Sequence, residues 1–96
     1  MTVSVHLEHP VPDYDAWKVA FDSDPLGRQA SGVLAYRILR PVDDDHRVAV
    51  DLDFPDRATA ERFRAALLRL WTSGGAMAVM RDPVVRVETL TEDRRL

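Results

Sequence analysis

A histidine at the end of a repeated segment is the residue best suited to chemistry. Residues 3–10 (VSVHLEHP) and residues 48–55 (VAVDLDFP) share Val, Val, Leu and Pro at matching positions. In this alignment His9 takes the place of Phe54. An imidazole with an ordinary pKa of about 6.5 can accept a proton near neutral pH. We therefore predict that His9 is a general base that removes a proton from a phenol or an enol. The alternative is a histidine that acts as a cap, or a half-exposed histidine that is hydrogen-bonded to the proline-rich turn.

Five aromatic side chains are candidates for the surroundings of this histidine. Tyr14 and Tyr36 are predicted to form hydrogen bonds with a substrate, since a buried phenolic hydroxyl needs a partner. Trp17, Trp71 and Phe63 are predicted to form the walls of a pocket for a planar ligand. The alternative is that these rings simply fill the core, because aromatic residues at helical spacing often do so.

A second group of titratable side chains lies on the opposite face of the same strands. An imidazole and three carboxylates can bind a divalent cation, and the residues that would do so are His6, Glu8, Asp51 and Asp53. Arg37 and Arg86 share this face and would compensate the acidic charge. We therefore predict a seam of mixed charge between two subunits, and no metal site.

Strands are indicated by the alternation of apolar and polar residues. The predicted strands are residues 3–9, 33–40, 47–54 and 84–90. The residues predicted to face the helices are Val3, Val5, Leu7, Leu34, Tyr36, Ile38, Val48, Val50, Leu52, Phe54, Val85 and Val87.

Two amphipathic helices connect these strands. They are predicted to begin after Asp13 and Asp56, whose carboxylates can accept hydrogen bonds from the first backbone amides. The first helix is predicted to be interrupted and to continue as a short helix up to Gly32. The second is predicted to end at Gly74 and Gly75. A helical turn is also predicted within residues 76–82, and the side chains that would pack inward are Met77 and Met80.

The order of these elements predicts the fold. Two strand-helix-strand units interleave into a four-stranded antiparallel sheet with both helices on one face, which is the ferredoxin-like α+β arrangement βαββαβ. The other face of the sheet has no helix to cover it. It is either solvated or covered by a second subunit.

Composition limits the class of protein. The 96 residues form one predicted domain, residues 1–96, with 46% hydrophobic and 30% charged residues and no cysteine. The formal net charge of −3 argues against nucleic acid or an anionic membrane as a partner. We find neither a signal-peptide pattern nor a long apolar run, so we expect a cytoplasmic protein.

Three stretches of the chain resemble the dimeric α+β barrel superfamily. They are the strand and Pro-Asp-Tyr-Asp-Ala-Trp-Lys sequence within residues 5–18, the Gly32-Val33 pair, and the strand at residues 48–54 with the Ala- and Phe-containing helix after it. The superfamily includes antibiotic-biosynthesis monooxygenases, polyketide cyclases and haem-degrading enzymes. The resemblance covers about residues 3–90. It implies a homodimer in which the two open sheet faces meet, with a ligand cavity between sheet and helices in each subunit.

The resemblance also implies a class of reaction. It suggests a small monooxygenase- or cyclase-like protein, independent of any cofactor, that acts on an aromatic or polyketide-type small molecule. Haem-degrading relatives hold iron through a helix histidine, whereas the histidines of this chain, His6, His9 and His46, lie outside the predicted helices. The alternative is a protein of the same fold that binds a small molecule without chemistry, or that only dimerises.

Overall fold

The two copies of the repeat form the two central strands of the sheet. The computed structural model describes residues 2–74 and 80–96. In chain order the elements are β1 (Val3–Pro10), α1 (Tyr14–Asp22), β2 (Ala35–Leu39), β3 (Arg47–Phe54), α2 (Arg57–Ser73) and β4 (Val84–Thr89). The strands lie in the order β2-β3-β1-β4, and all neighbours are antiparallel. This is the predicted ferredoxin-like βαββαβ fold.

The register places the two ends of the repeat at opposite ends of the sheet. Because β1 and β3 are antiparallel, His9 pairs with Val48, and Phe54 pairs with Val3. Both His9 and Phe54 face the helices and are fully buried. The position at which the two copies differ therefore occurs at both ends of one core, as a histidine at one end and a phenylalanine at the other.

Alternation along the central strands separates the core from the open face. The first, third, fifth and seventh residues of β1 are buried, and the residues between them are half-buried. The buried core comprises Val3, Val5, Leu7, Val50, Leu52, Phe54, Ala60, Phe63, Leu67, Trp71 and Met80. Side chains of alternate residues point to opposite faces of a sheet, so the polar residues of β1 and β3 share the face without helices.

The two helices pack against the sheet to different extents. Asp56 caps α2 by accepting a hydrogen bond from the Thr59 amide at 2.8 Å, and α2 packs across β1, β3 and β4. Asp13 caps α1 in the same way. None of the nine residues of α1, all of which the structure describes, is fully buried. Within residues 2–74 and 80–96 we find no helix with the length and apolar character that crossing a bilayer would require.

The segment between α1 and β2 differs from its prediction. The expected helical continuation to Gly32 is wrong, because the chain forms a series of turns there. Asp24 and Gly27 have φ values of 54° and 61°, outside the range of a right-handed helix. β2 is also shorter than residues 33–40, and Leu34, which was predicted to face the helices, is 65% exposed. Val33 packs against the core instead.

Two smaller differences concern the C-terminal part of the chain. β4 ends at Thr89, one residue earlier than predicted. Of the helical turn predicted within residues 76–82, residues 76–79, including Met77, lie outside the described residues. Met80 is buried against the core, as predicted.

Gly32 is a site where we predict that a single methyl group destabilises the fold. Its φ is 97°, and a Cβ atom there would lie 2.4 Å from Thr59 Cγ2. We expect Gly32→Ala to lower the free energy of unfolding by about 2 kcal/mol. Adding Thr59→Ser should recover part of this loss, because serine lacks the clashing methyl group but keeps the hydroxyl that bonds Asp56 at 2.8 Å.

The measurement is chemical unfolding of the parent protein, both single variants and the double variant. Gly27→Ala is the control, since its φ is also positive but its nearest neighbouring atom would be 3.9 Å from the new Cβ. A double variant no more stable than Gly32→Ala would show that contact with Thr59 is not the cause.

Candidate active site

A cleft of about 290 Å³ lies between the helices and the sheet at the His9 end of the core. Most of its lining is apolar. The lining residues are Leu7, His9, Trp17, Ala20, Phe21, Asp24, Pro25, Leu26, Arg28, Leu52, Phe63, Leu67, Leu70, Trp71, Gly74 and Met80. The cleft is of a size that suits a small planar molecule.

His9 is held with one ring nitrogen paired and the other unpaired. Its Nδ1 lies 2.9 Å from the Pro10 carbonyl oxygen, which can only accept, so Nδ1 carries the proton in the neutral ring. Nε2 is then an acceptor. It is buried, and no described residue offers it a hydrogen bond. The ring therefore bonds the proline-rich turn, as in the alternative for His9, but it is buried and not half-exposed.

The surroundings of His9 favour its neutral form. Burial lowers the pKa of the imidazole below its ordinary value, and the positive charge of Arg47 lowers it further, although the hydrogen bond to Pro10 acts in the opposite direction. At neutral pH the ring is therefore uncharged, and Nε2 can take up a proton. An unpaired buried acceptor is costly in a folded protein and commonly marks a functional site.

Three of the predicted aromatic residues surround the cleft. The ring centroids of Trp17 and Trp71 lie 6.2 Å and 5.7 Å from that of His9, both in edge-to-face orientation. Phe63 also lines the cleft. The imidazole is only 1% exposed, so the two indole rings cover it.

The two tyrosines lie away from the cleft lining. Tyr14 stacks near Trp17, with centroids 5.7 Å apart, and the Arg40 guanidinium lies 3.9 Å from its ring centroid. Tyr36 faces the helices, as predicted, but it is 43% exposed and packs edge-on against Phe21. The structure therefore brings together His9 and the three predicted walls in the lining of the cleft, and neither tyrosine belongs to that lining.

Two charged residues of the cleft are not predicted by the sequence analysis. Asp24 and Arg28 lie in the turns between α1 and β2 and line the cleft. Arg28 Nη1 donates a hydrogen bond to the Phe21 carbonyl oxygen at 2.8 Å and lies 3.5 Å from Asp24 Oδ1. These turns were predicted to be helical, so the pattern gave no reason to place either residue in the lining of the cleft.

The open face of the sheet carries a network of ion pairs. Arg47 binds Glu8 through Nε at 2.8 Å, and Arg37 binds Asp53 at 3.3 Å. These guanidinium groups lower the pKa values of the two carboxyl groups. Ser4 also donates to Asp53 at 2.9 Å. The arrangement matches the predicted face of mixed charge.

His6 lies at the centre of this face. Its Nδ1 lies 2.7 Å from Asp51 Oδ1, and its Nε2 lies 3.4 Å from Glu8 Oε1. Burial disfavours the charged ring, but the hydrogen bonds to these carboxylates outweigh it and raise the pKa of His6. His6, Asp51 and Glu88 have potential ligand atoms within 4.8 Å of one another. Two members of the predicted cation group, Glu8 and Asp53, are instead bound by arginine.

Comparisons with known proteins identify the fold. No protein-family model and no curated protein sequence matches the chain. Among solved structures, it is similar to a variant of SnoaB, a cofactor-independent oxygenase from Streptomyces nogalater, with 16% identity over 96% of this chain and 95% of that chain and a TM-score of 0.73. It is similar to an antibiotic biosynthesis monooxygenase, with 16% identity over 96% of this chain and 100% of that chain and a TM-score of 0.64.

A third similar structure is a dimeric ferredoxin-like protein from an uncultured marine organism. The identity is 9%, the match covers 99% of this chain and 93% of that chain, and the TM-score is 0.66. At these identities the similarity concerns the fold of the backbone. The chain therefore has a ferredoxin-like fold, as the order of its elements predicted.

Proposed function

We propose that the protein is a cofactor-independent oxygenase or cyclase whose general base is His9. The observation that carries this proposal is the buried Nε2 atom of a neutral imidazole, which lacks a partner among the described residues and belongs to a residue that lines an apolar cleft. The similarity in fold to proteins described as a cofactor-independent oxygenase and an antibiotic biosynthesis monooxygenase supports the same class of reaction.

The substrate class follows from the lining of the cleft. Trp17, Phe63 and Trp71 offer ring faces and edges to a planar aromatic or polyketide-type molecule. His9 accepts a proton from a phenol, an enol or a methylene group next to a carbonyl. The Pro10 carbonyl oxygen, 2.9 Å from Nδ1, holds the ring orientation and stabilises the imidazolium that forms.

Removal of the proton leaves an electron-rich anion in the cleft. In an oxygenase, its carbon reacts with dioxygen: a CH2 group becomes C=O, the second oxygen atom leaves as water, and dioxygen is the oxidant. In a cyclase, the same carbanion attacks a carbonyl carbon of the substrate: a C–C bond forms, the C=O π bond opens to an alkoxide, and the alkoxide takes the proton back from the imidazolium of His9. Both reactions need a base and an apolar site that shields the anion from water.

The substrate reaches His9 by displacing its aromatic cover. The imidazole is 1% exposed beneath Trp17 and Trp71. Trp17 lies on α1, which has no fully buried residue among Tyr14–Asp22. We propose that α1 and the Trp17 ring shift to admit the ligand to Nε2.

The proposal is tested by turnover of a panel of polyphenols and aromatic ketones with acidic methylene groups. Dioxygen consumption reports oxygenation, and mass spectrometry reports cyclised products. We expect kcat/KM to fall as the pH falls through an apparent pKa below 6.5, because His9 must be neutral and its pKa is lowered. A rate that falls instead as the pH rises through the neutral range would contradict the role of His9 as base. Binding without turnover by any member of the panel would favour the alternative of a binding protein.

We also propose that a second copy of the chain covers the open sheet face. The similarity to a protein described as a dimeric ferredoxin-like protein supports this. So does the face itself, where Leu39, 49% exposed, lies among ion-paired charges. Such a face suits an isologous interface in which the same surface meets itself.

Solution mass tests the dimer. We expect two chains per particle at micromolar concentration, and one chain after Leu39→Asp, since a carboxylate there would be buried without a partner. Val42→Asp is the control, because Val42 is 97% exposed in a loop. A parent protein with the mass of one chain would refute the dimer.

A further inference from the structure

We propose that Arg28 is the second polar anchor of the cleft and binds an oxyanion on the substrate, such as a carboxylate or a phenolate. The inference rests on the proposed function in taking the cleft as the substrate site. It goes further in requiring a substrate that combines a planar apolar body with a negatively charged oxygen group.

The position of the Arg28 guanidinium is restrained from two sides. Its Cζ atom lies 4.0 Å from the ring centroid of Phe21 and 5.0 Å from that of Tyr36. Its Nη1 donates to the Phe21 carbonyl oxygen at 2.8 Å. A guanidinium that packs on two rings and bonds a backbone carbonyl oxygen loses little conformational freedom when it binds an anion. Tyr36 therefore acts through Arg28, as a positioning residue.

Arg28 keeps unused hydrogen-bonding capacity. A guanidinium has five N–H donors, and both its contacts with Phe21 and Asp24 are made by Nη1. Nε and Nη2 have no hydrogen-bond acceptor among the described residues. The side chain is only 16% exposed, so an oxyanion there would meet a partly desolvated cation, where charge-assisted hydrogen bonds are strong.

Asp24 limits the strength of this site. Its Oδ1 accepts a hydrogen bond from the Arg28 amide at 2.9 Å and lies 3.5 Å from Nη1. The carboxylate thus offsets part of the guanidinium charge and repels an incoming anion. Among the described residues that line the cleft, Asp24 and Arg28 are the only Asp, Glu, Lys or Arg. The preference of the cleft for or against an anion therefore depends on this pair.

The test uses two probes of the same shape, 2-naphthoate and 2-naphthamide. Their dissociation constants are measured by NMR titration, following the two indole N–H signals, since both tryptophans of the chain line the cleft. We expect the parent protein to bind the carboxylate about tenfold more tightly than the amide. Arg28→Gln should abolish this preference, so that the two dissociation constants become equal.

Asp24→Asn should change the preference for the carboxylate in the opposite direction. Asparagine keeps an oxygen that can accept from the Arg28 amide, and it tolerates the positive φ of 54° at this position. Removal of the competing charge should raise the preference for the carboxylate above that of the parent. Because one variant weakens the preference and the other strengthens it, loss of folding cannot imitate both results.

The outcomes separate this inference from the proposed function. If the parent shows no preference for the carboxylate, or if the preference persists in Arg28→Gln, the inference is wrong even when turnover depends on His9. If the preference behaves as expected but no member of the substrate panel turns over, Arg28 remains an oxyanion anchor and the catalytic proposal fails.

Discussion

Replacement of His9 by phenylalanine should abolish turnover and leave the protein at least as stable as the parent. Phenylalanine is the residue that the second copy of the repeat carries at this position. It cannot accept a proton, so we expect kcat/KM to fall by about 10²- to 10⁴-fold. It also removes a buried Nε2 atom that has no partner among the described residues, which offsets the loss of the bond to Pro10.

The stability of this variant should also differ from the parent in its pH dependence. The pKa of His9 is lowered in the folded protein, so at acidic pH the unfolded chain binds more protons at this residue than the folded chain. The parent therefore loses stability from His9 as the pH falls below about 6.5, whereas His9→Phe does not. In urea unfolding experiments, we expect the free energy of unfolding of the variant to increase relative to that of the parent as the pH falls from 7 to 5.

His46→Phe is the matched control, since it makes the same exchange at an exposed loop residue. It should leave kcat/KM within a factor of two of the parent. If His9→Phe retains the parent activity, His9 is not the base. If it retains activity and is strongly destabilised, the histidine serves the fold alone.

The reverse exchange, Phe54→His, should be severely destabilising. Phe54 is fully buried, and its ring centroid lies 5.3 Å from that of Phe63. A histidine there loses buried apolar surface and places polar ring atoms in a packed core. We expect a loss of about 3 kcal/mol or more in the free energy of unfolding at pH 7, which increases at lower pH because the unfolded imidazole binds a proton.

Urea unfolding measures this loss, with Phe54→Leu as the control. Leucine keeps the site apolar and should cost about 1 kcal/mol. Equal losses in the two variants would show that volume alone determines the effect. A Phe54→His protein as stable as the parent would mean that this end of the core also tolerates an imidazole. Tolerance of a buried histidine would then not be special to the His9 end.

The strands and their faces could be predicted from the sequence because the central strands alternate without interruption. The predicted span of β3 agrees with the structure, and that of β1 ends one residue short. Asp13 and Asp56 cap the helices as predicted, since capping depends on a carboxylate and the amides that directly follow it. The position of His9 on the core side followed from the same alternation.

The remaining features depend on contacts between residues distant in sequence or on turn geometry. Leu34 continues the alternation of β2, but the strand begins only at Ala35, and Leu34 is exposed. Tyr36 faces the expected side and yet packs behind Arg28, because Arg28 reaches it from turns predicted to be helical. Periodicity states which face a side chain occupies and not which neighbour covers it.

The loose packing of α1 means that a ligand in the cleft would contribute to the stability of the fold. On the α2 side the sheet is covered by Ala60, Phe63, Leu67 and Trp71, which are buried without any guest. Trp17 and Phe21 of α1 line the same cleft as residues of α2 but are only partly buried, so the hydrophobic contacts of this helix are incomplete. A bound aromatic molecule would supply the missing hydrophobic contacts of α1 and would pack as part of the core. Its binding would then raise the free energy of unfolding of the protein through mass action.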